Sequence, residues 1–204
     1  MMKDQWKDHW NDRYSTSEYI YGKEPNKFFE EEINKLNPGK ILFLGEGEGR
    51  NAVYAASLGW SVDAVDQSET GKMKAMQLSS ERKVKINYYV EDLYSFTPKQ
   101  NYYDAAVFIF LHLEEGLRRH VFKKTIDSLK PGGKIILEVF EKDQIKYDSG
   151  GPKDEALLYS LEDISEEFIE LDFEKFSKEI VILDEGKYHQ GKAAVIRFVC
   201  EKNK

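Results

Sequence analysis

The stretch Ile41–Asn51, with the sequence ILFLGEGEGRN, places three glycines at alternate positions directly behind an apolar run. Four apolar residues in succession are typical of a buried strand in a parallel sheet. Glycine has no Cβ and adopts positive φ readily, so Gly45, Gly47 and Gly49 permit a turn whose backbone N–H groups a ligand can approach. The stretch therefore predicts a strand, a ligand-binding turn and a helix that begins at Arg50.

Strand-like and helix-like segments alternate along the chain from about residue 40. Strands are predicted at 40–44, 61–66, 85–90, 103–110 and 133–140, and helices at 50–59, 68–82 and 114–130. This alternation is typical of a parallel sheet with flanking helices. The last two strand-like runs are joined without a helix, which predicts an antiparallel hairpin. Ahead of the first strand, an aromatic-rich segment leads into a helix from about Pro25.

Length and composition favour one domain with a substantial core, because the 204 residues are 41% hydrophobic and 13% aromatic. No apolar run is long enough to span a membrane and no signal-peptide pattern is present, so the sequence predicts a cytoplasmic protein without a membrane partner. The net charge of −7 disfavours a nucleic-acid partner. The single Cys200 excludes an internal disulfide, and the four histidines lack ligand spacing, so no metal site is predicted.

Two classes of nucleotide site use a glycine turn of this kind. A dinucleotide site requires a third glycine where this chain has Arg50, which is too large for the close helix–strand contact there. Glu46 and Glu48 would repel a pyrophosphate, whereas the sulfonium and ammonium of S-adenosylmethionine are cationic. The turn therefore favours S-adenosylmethionine, and a tight turn that binds nothing is the structural alternative.

Further candidate contacts follow the next two strands, since ligands of open α/β sheets bind at the carboxyl ends of the strands. Asp66 ends the second strand, where its carboxylate can accept both ribose hydroxyls. The alternative role for Asp66 is a helix cap, which Ser68 can supply instead. The segment Glu91–Leu93 follows the third strand, where a carboxylate and a backbone N–H can bind adenine, and an ordinary loop is the alternative.

Four segments of the chain together resemble a known family: LGEGEGRNAVYAASLGWSVDAVDQS, VEDL, LKPGGKIILEVF and WNDRYSTSEYIYGKEPN. They are similar to the class I S-adenosylmethionine-dependent methyltransferases, most closely the branch with tellurite-resistance and thiopurine-type enzymes. The resemblance covers nearly the whole chain. It implies an α/β fold with a Rossmann-like, mostly parallel seven-stranded sheet flanked by helices and closed by a C-terminal antiparallel hairpin. It also implies one domain over residues 1–204, with an N-terminal helical lid over 1–38 and the core over 39–204.

The resemblance also implies cofactor contacts at individual positions. The expected contacts to S-adenosylmethionine are Gly45, Glu46, Gly47, Gly49, Arg50 and Asn51 towards the methionine end, Asp66 and Gln67 at the ribose, Glu91, Asp92 and Leu93 at the adenine, and Phe110 beside the sulfonium. One position departs from the family pattern. Phe43 stands where the family usually has an aspartate, so a polar contact that helps to hold the amino group is missing.

The acceptor side carries fewer signals. After the fourth strand the chain has FIFLHLEE instead of the Asn/Asp-Pro-Pro-aromatic motif of related enzymes that methylate nucleic-acid amino groups. This favours a small-molecule acceptor, such as a thiol or a chalcogen oxyanion like tellurite. The candidate acceptor contacts are Tyr14, Tyr21, His112 and Tyr188. The loop Asp148–Ile164 is expected either to cover the acceptor pocket or to be a plain connection.

The candidate catalytic residue is His189, in the segment GKYHQGK between the last two strands. The tellurite-resistance enzymes carry a histidine in the corresponding connection, and histidine titrates near neutral pH. It would take the proton of the acceptor or steer an anionic nucleophile, and an exposed loop histidine is the alternative. The sequence thus predicts a methyltransferase that is a monomer or homodimer. A nicotinamide-dependent oxidoreductase and a non-catalytic nucleoside-binding protein are the alternative functions.

Overall fold

A computed structural model describes residues 2–203, with side chains described from residue 5. The helices within this range are α1 Met2–Tyr14, α2 Lys27–Ile33, α3 Arg50–Ser57, α4 Glu69–Glu81, α5 Glu115–Ser128 and α6 Leu161–Glu167. The strands are β1 Lys40–Leu44, β2 Ser61–Asp66, β3 Asn87–Val90, β4 Tyr103–Ile109, β5 Leu129–Phe140, β6 Leu171–Glu185 and β7 His189–Lys202. Two short 3-10 helices lie at Lys142–Lys146 and Glu155–Leu157.

The seven strands form one sheet in the order β3-β2-β1-β4-β5-β7-β6. The first five strands pair in parallel, and β7 pairs antiparallel with both β5 and β6. The strand order reverses between β1 and β4, which is where ligands bind in open α/β sheets. The predicted fold class, including the C-terminal hairpin, is confirmed.

Both faces of the sheet are buried, and alternate residues of β1 divide between them. Leu42 and Leu44 pack into the cluster that includes Phe108 and Phe122 on the α5 side. Ile41 and Phe43 pack into the opposite cluster, which contains side chains of α2, α3 and α4. Because successive side chains of a strand point to opposite faces, a strand covered on both sides needs an unbroken apolar run. This explains why ILFL is continuous rather than alternating.

Phe43 therefore has a core role. Its ring lies 5.4 Å from that of Phe29 in an edge-to-face contact, and its exposed fraction is 1%. Phe43, at the position where the family usually has an aspartate, thus packs against α2 in the core.

Several predicted boundaries are wrong, and α3 and α5 each end two residues earlier than predicted. β5 begins at Leu129, directly after α5, and therefore includes the predicted turn Pro131–Gly133. At this point the pairing of β5 with β4 shifts in register. β3 begins at Asn87 instead of Lys85. The stretch Asp148–Ile164, interpreted as a loop, contains a 3-10 helix and the start of α6, which Ser160 and Asp163 cap reciprocally. That capping box was visible in the sequence as Ser-x-x-Asp before α6.

The N-terminal segment lies across the carboxyl edge of the sheet. Asn11 of α1 accepts hydrogen bonds from the Ser68 hydroxyl at 2.8 Å and from the backbone N–H of Thr70 at 3.3 Å. The Ile20 carbonyl accepts from the N–H of Lys187 in the β6–β7 turn at 2.8 Å. The segment before α2 therefore contacts both the α4 side and the hairpin side of this edge. The division into a lid over 1–38 and a core over 39–204 stays a prediction.

None of the helices within residues 2–203 has the length and apolar character needed to cross a bilayer.

Candidate functional site

The glycine turn after β1 has the backbone that its sequence predicts. Gly45, Gly47 and Gly49 have φ values of 68°, 60° and 87°, a region that residues with a Cβ rarely adopt. The N–H groups of Gly45 and Glu46 donate to the Val65 carbonyl at 2.8 and 3.2 Å, which ties the turn to β2. The turn is thus a fixed part of the sheet edge.

Each glycine of the turn faces a different neighbour. A Cβ on Gly49 would meet the Ala75 Cβ at 2.5 Å, so this glycine serves the packing of the turn against α4, and its predicted contact with the cofactor stays a prediction. A Cβ on Gly47 would meet the Tyr14 hydroxyl oxygen at 2.6 Å. A Cβ on Gly45 would meet a Leu111 methyl at 2.6 Å. The Tyr14 hydroxyl and the Leu111 side chain therefore lie against the backbone of Gly47 and Gly45. We call this backbone surface of Gly45 and Gly47 the glycine cradle.

The two glutamates of the turn have separate roles. Glu46 is partly exposed and accepts from the Ala52 N–H at 2.7 Å, and burial of its carboxyl raises its pKa to about 8. Glu48 is buried, pairs with Lys74 at 2.7 Å and accepts from the Ile20 N–H at 2.8 Å. Glu48 is thus neutralised and holds the N-terminal segment. The predicted repulsion of a pyrophosphate by these two glutamates is therefore weaker than expected, because Glu48 is paired with Lys74 and the raised pKa of Glu46 leaves its carboxyl largely protonated at pH 7.

Asp66 connects the glycine turn to α4. Its carboxylate accepts from the Gly47 N–H at 2.9 Å and from the Ser68 N–H at 2.8 Å. Burial raises its pKa, although these hydrogen bonds act in the opposite direction. Ser68 caps α4 through its own hydroxyl, so the cap that was the alternative role of Asp66 is already filled. A carboxylate has about four lone-pair positions, which leaves capacity for a diol, and Gln67 lies beside it, partly exposed.

The predicted adenine contacts lie next to Asp66. The Glu91 N–H donates to the Asp66 carbonyl at 3.0 Å. The Asp92 carboxylate accepts from the Tyr94 N–H at 2.7 Å, and Leu93 packs on the α5-side core. Both acidic strand ends and the glycine cradle thus meet at one edge of the sheet.

Arg50 and Asn51 face the N-terminal segment. The Arg50 guanidinium pairs with Glu185 at 2.8 Å and donates to the Tyr21 carbonyl at 3.1 Å. The Asn51 side-chain oxygen accepts from the Asn26 N–H at 2.9 Å. Both side chains are therefore engaged in holding this segment. Their predicted contact with the methionine end of the cofactor stays a prediction.

Sequence reasoning missed a buried polar network beside the site. The Asn26 amide donates to Glu138 at 2.5 Å and to Glu185 at 3.0 Å, and Glu138 also pairs with Arg197 at 2.7 Å. Although burial would raise the pKa of Glu185, contacts with His189 and Arg50 lower it to about 2. One signal was available, because Glu138 interrupts the apolar strand IILEVF and a buried carboxylate requires partners.

His189 lies in an aromatic cluster on the acceptor side. It begins β7, only 4% of it is exposed, and its ring centroid lies 4.5 Å from that of Tyr21, 4.4 Å from Phe110 and 5.4 Å from Phe140. Its Nδ1 is 3.6 Å from the Glu185 carboxylate, and burial lowers its pKa. The alternative of an exposed loop histidine is therefore excluded. Whether His189 is catalytic stays a prediction.

Phe110 has a strained backbone at this point. Its φ is 51°, which is uncommon for a bulky residue and recurs at functional sites. The ring stacks on Phe140 at 4.5 Å. Phe140 was missed by sequence reasoning because an aromatic residue in a buried strand has no signal beyond core packing.

The loop after β5 covers this cluster. A Cβ on Gly150 would meet the Tyr188 carbonyl at 2.5 Å and a His189 ring carbon at 2.7 Å, and a Cβ on Gly151 would meet the Phe140 ring at 2.6 Å. The glycine pair thus lets the backbone lie directly on the two rings. Whether this loop covers an acceptor pocket stays a prediction. Tyr188 itself is 43% exposed, with the Arg13 guanidinium 5.0 Å from its ring centroid.

His112 is held between the same loop and Phe140. Its Nδ1 lies 2.7 Å from the Leu157 carbonyl oxygen, and its ring stacks on Phe140 at 5.5 Å. Its Nε2 is buried and has no hydrogen-bond partner among the described residues. Burial lowers the pKa of His112 to about 4.

Tyr14 and Tyr21 flank the site from the N-terminal segment. Tyr14 is 5% exposed, stacks on Trp10 at 5.5 Å and enters the Gly47 cradle. The Tyr21 hydroxyl accepts from Arg13 at 3.2 Å while its ring packs on His189. The structure thus brings these two predicted contacts to the edge that carries Gly47 and His189.

Two negative findings concern the described residues. A cavity of about 630 Å³ near the first turn of α5 is lined by none of the predicted site residues. Within residues 5–203, no group of three His, Cys, Asp or Glu side chains is placed to hold a metal ion.

The donor set at the sheet edge fits S-adenosylmethionine. Asp66 can accept a ribose diol and Glu46 can meet an ammonium group, and Gly47 has no Cβ between its backbone and the Tyr14 hydroxyl that lies against it. These groups lie at the strand-order reversal where such ligands bind.

Comparison with known proteins agrees with this fit. Residues 41–133 match the family model described as Methyltransferase domain. The probable S-adenosyl-L-methionine-dependent methyltransferase TehB of Haemophilus influenzae is 29% identical over 82 residues, 39% of this chain and 29% of TehB. Phosphoethanolamine N-methyltransferase 1 of Zea mays is 30% identical over 142 residues, 68% of this chain and 27% of that enzyme. The chain thus spans less than a third of the length of either relative.

Solved structures share the fold across nearly the whole chain. The crystal structure of TehB from Haemophilus influenzae has a TM-score of 0.73 at 18% identity, covering 97% of this chain and 67% of that one. N-methyltransferase NodS from Bradyrhizobium japonicum, crystallised with S-adenosyl-L-homocysteine, has a TM-score of 0.73 at 13% identity, covering 97% and 98%. Residues 41–133 thus match a methyltransferase domain, and the chain is similar to TehB and shares the TehB fold across nearly its whole length.

Proposed function

We propose that this chain binds S-adenosylmethionine at the glycine turn and transfers its methyl group to a small-molecule acceptor held by the aromatic cluster. The observation that carries the proposal is the meeting of the Gly45–Gly47 cradle, Asp66 and Asp92 at the carboxyl edge of three neighbouring strands. The cofactor, when bound, supplies a methyl group already activated on a sulfonium. The domain match supports the same reaction class.

The chain's own residues would position the cofactor and the acceptor and would exclude water from the site. Asp66 would hold the ribose, and the backbone of the turn would hold the methionine end. Tyr14 and Tyr21 would cover the site from the N-terminal segment, and Gly150 and the loop around it from the other side. An activated donor needs alignment and desolvation more than a strong base, so such enclosure can supply much of the rate.

His189 would orient the acceptor from the edge of the aromatic cluster. Its Nδ1 lies 3.6 Å from the Glu185 carboxylate, and Arg50 and Asn26 hold that carboxylate in place. The side of the imidazole that carries Nδ1 therefore faces a fixed negative charge. The acceptors that fit the resemblance to TehB are a thiol or a chalcogen oxyanion such as tellurite.

Calorimetry tests the cofactor assignment. S-adenosylmethionine and S-adenosylhomocysteine should bind and NAD should not. Binding of NAD alone would favour the nicotinamide-dependent oxidoreductase and contradict the proposal.

Turnover tests the catalytic assignment. The protein would be incubated with S-adenosylmethionine and a panel of thiols, selenite and tellurite, and S-adenosylhomocysteine would be quantified by mass spectrometry. Tight cofactor binding without product on the whole panel would favour a non-catalytic nucleoside-binding protein.

A further inference from the structure

The position of His112 is determined from three sides. The Tyr159 hydroxyl donates to the Leu111 carbonyl at 3.1 Å and accepts from the Leu113 N–H at 2.8 Å, so it clamps the backbone on both sides of His112. Tyr159 is itself fully buried, and the Arg118 guanidinium lies 4.6 Å from its ring centroid. The imidazole ring is then held by stacking on Phe140.

The hydrogen bond to Leu157 decides the tautomer of His112. A carbonyl oxygen only accepts, so Nδ1, at 2.7 Å, must carry the hydrogen. The ring is neutral near pH 7 because burial lowers its pKa to about 4. In a neutral imidazole with a protonated Nδ1, Nε2 has a free lone pair. This lone pair is buried and unpaired among residues 5–203, and an unsatisfied buried acceptor is unfavourable in a folded protein.

We infer that the Nε2 lone pair of His112 receives the hydrogen of the methyl acceptor, so that the acceptor is a nucleophile bearing an S–H, N–H or O–H group rather than a proton-free oxyanion. This inference rests on the proposed function and specifies its acceptor class. A donor hydrogen would satisfy the one polar atom of this clamp that lacks a partner. An oxyanion would instead face the lone pair of a neutral ring, which repels it.

The transfer then balances without any further reactant. The nucleophile forms a bond to the methyl carbon, the carbon–sulfur bond of the donor breaks, and its electron pair stays on sulfur. The hydrogen of the nucleophile passes to Nε2 as a proton. The resulting imidazolium is unfavourable in this buried site, so the proton is passed on to solvent when product leaves.

Few charged groups face His112. Its electrostatic neighbours are His189, which contacts the same Phe140 ring, and Arg118 behind Tyr159. His189 Nδ1 is also buried without a hydrogen-bond partner among the described residues, but it lies 3.6 Å from the Glu185 carboxylate. Aromatic rings and Gly150 enclose His189, which is 4% exposed, so an acceptor reaches it less easily than it reaches the partly exposed His112. We therefore assign His189 to orientation and His112 to proton acceptance.

Two substitutions separate the nitrogen atoms of the ring. His112→Asn places an amide N–H where Nδ1 donates to Leu157 and removes Nε2. His112→Gln places an amide oxygen near Nε2, which accepts a hydrogen bond but takes no proton. With 2-mercaptoethanol as acceptor, we expect kcat to fall about a hundredfold in both variants, and KM to rise only in His112→Asn. His120→Asn, on the outer part of α5, is the matched control.

Dimethyl sulfide serves as the proton-free nucleophile, because its sulfur carries no hydrogen. If the wild type methylates it, its kcat should change less than about threefold in His112→Asn, because there is no proton to remove. Equal losses with 2-mercaptoethanol and dimethyl sulfide, or no loss with 2-mercaptoethanol, would overturn the inference. Failure of the wild type to methylate any acceptor would count against the proposed function instead.

Nitrogen NMR decides the tautomer independently of activity. Spectra of the S-adenosylhomocysteine complex, assigned with His112→Asn, should show a protonated Nδ1 and a bare Nε2 from pH 5 to pH 8. The Nε2 signal should move when 2-mercaptoethanol is added. A protonated Nε2 at neutral pH, or a signal that ignores the thiol, would contradict the assignment.

Discussion

Asp66 shows how one carboxylate serves both structure and binding. It holds the Gly47 and Ser68 N–H groups at 2.9 and 2.8 Å, and so fixes the distance between the glycine turn and α4. The same oxygens lie at the strand end where a ribose diol would bind. Because the Asp66 carboxylate is already held in position, a ligand that binds there loses little free energy in ordering this side chain.

Asp66→Ala should lower the affinity for S-adenosylhomocysteine by roughly ten- to a hundredfold, or about 1.5–3 kcal/mol, because the diol loses its acceptor. Calorimetry on the folded variant measures this. Asp63→Ala is the control, since Asp63 lies on the same strand but bonds to Asn87 and Tyr103. Unchanged affinity in a folded Asp66→Ala protein would refute the cofactor assignment.

Glu46 should make cofactor binding depend on pH. Its pKa of about 8 in the free protein keeps the carboxyl largely protonated at pH 7. The ammonium of S-adenosylhomocysteine would favour the ionised form, so binding at pH 7 should release close to one proton. Calorimetry in two buffers of different ionisation enthalpy measures the release. Glu46→Gln should release none, and an identical release in both proteins would rule out this role.

The same raised pKa affects stability in the free protein. A carboxyl whose pKa is higher in the folded state stabilises the fold below its ordinary value of 4.5, and this contribution disappears as pH rises through about 8. The melting temperature of the free protein should therefore fall between about pH 5 and pH 9. In Glu46→Gln the fall should be smaller, as followed by circular dichroism.

Among the elements, the N-terminal segment depends most on contacts outside itself. Its backbone is held by side chains of the glycine turn and α3, namely Glu48 at Ile20, Arg50 at Tyr21 and Asn51 at Asn26. Helix α1 is polar on most of its surface, so its own sequence supplies little apolar area for docking. Such a segment is expected to open locally more easily than the sheet.

Bound S-adenosylhomocysteine should increase the hydrogen-exchange protection of residues 10–24, because it completes the surface under Tyr14. Glu48→Gln should reduce protection at Ile20 and Tyr21 by weakening their shared acceptor. Glu81→Gln, which removes an exposed partner of Lys23, is the control. Equal protection of 10–24 with and without ligand would exclude a lid.

Across the whole molecule, one buried polar network joins parts of the chain that are far apart in sequence. Asn26 before α2, Glu138 in β5 and Glu185 at the end of β6 meet through hydrogen bonds, and Arg197 of β7 completes the charge balance. Buried charges are tolerated only when they are paired and hydrogen-bonded. The network therefore sets how the hairpin and the N-terminal segment meet the sheet.

Removing one partner of this network should destabilise the fold strongly. Arg197→Met leaves Glu138 buried without its cation and should cost about 3–5 kcal/mol in urea unfolding. The double variant with Glu138→Met should recover much of the loss, because no fully buried charge is left unpaired and Glu179, the other partner of Arg197, is partly exposed. Arg119→Met, on the exposed side of α5, should change stability little. Additive losses in the double variant would show that the two side chains do not act as a pair.

The regular part of the fold follows from local patterns. β1 and β2 agree with their predicted bounds because an apolar run bounded by glycine or a helix cap is a local signal. The Ser68 cap and the positive φ of the glycine turn were predictable for the same reason. Helix α6 was missed, although its capping box lay in the sequence, because a neighbouring Gly-Gly-Pro run favoured a loop.

The acidic strand ends and the glycine turn were predictable as a group because parallel strands carry their carboxyl ends to one edge. The sequence alone therefore determined the fold class, and it predicted that the candidate cofactor residues meet at one edge of the sheet. Only the tertiary structure decided that Glu48 faces Lys74, that Gly49 faces Ala75, and that His112 and His189 contact one Phe140 ring. These outcomes depend on contacts between residues distant in the chain, and no local pattern of charge or hydrophobicity specifies which distant side chain fills a given space.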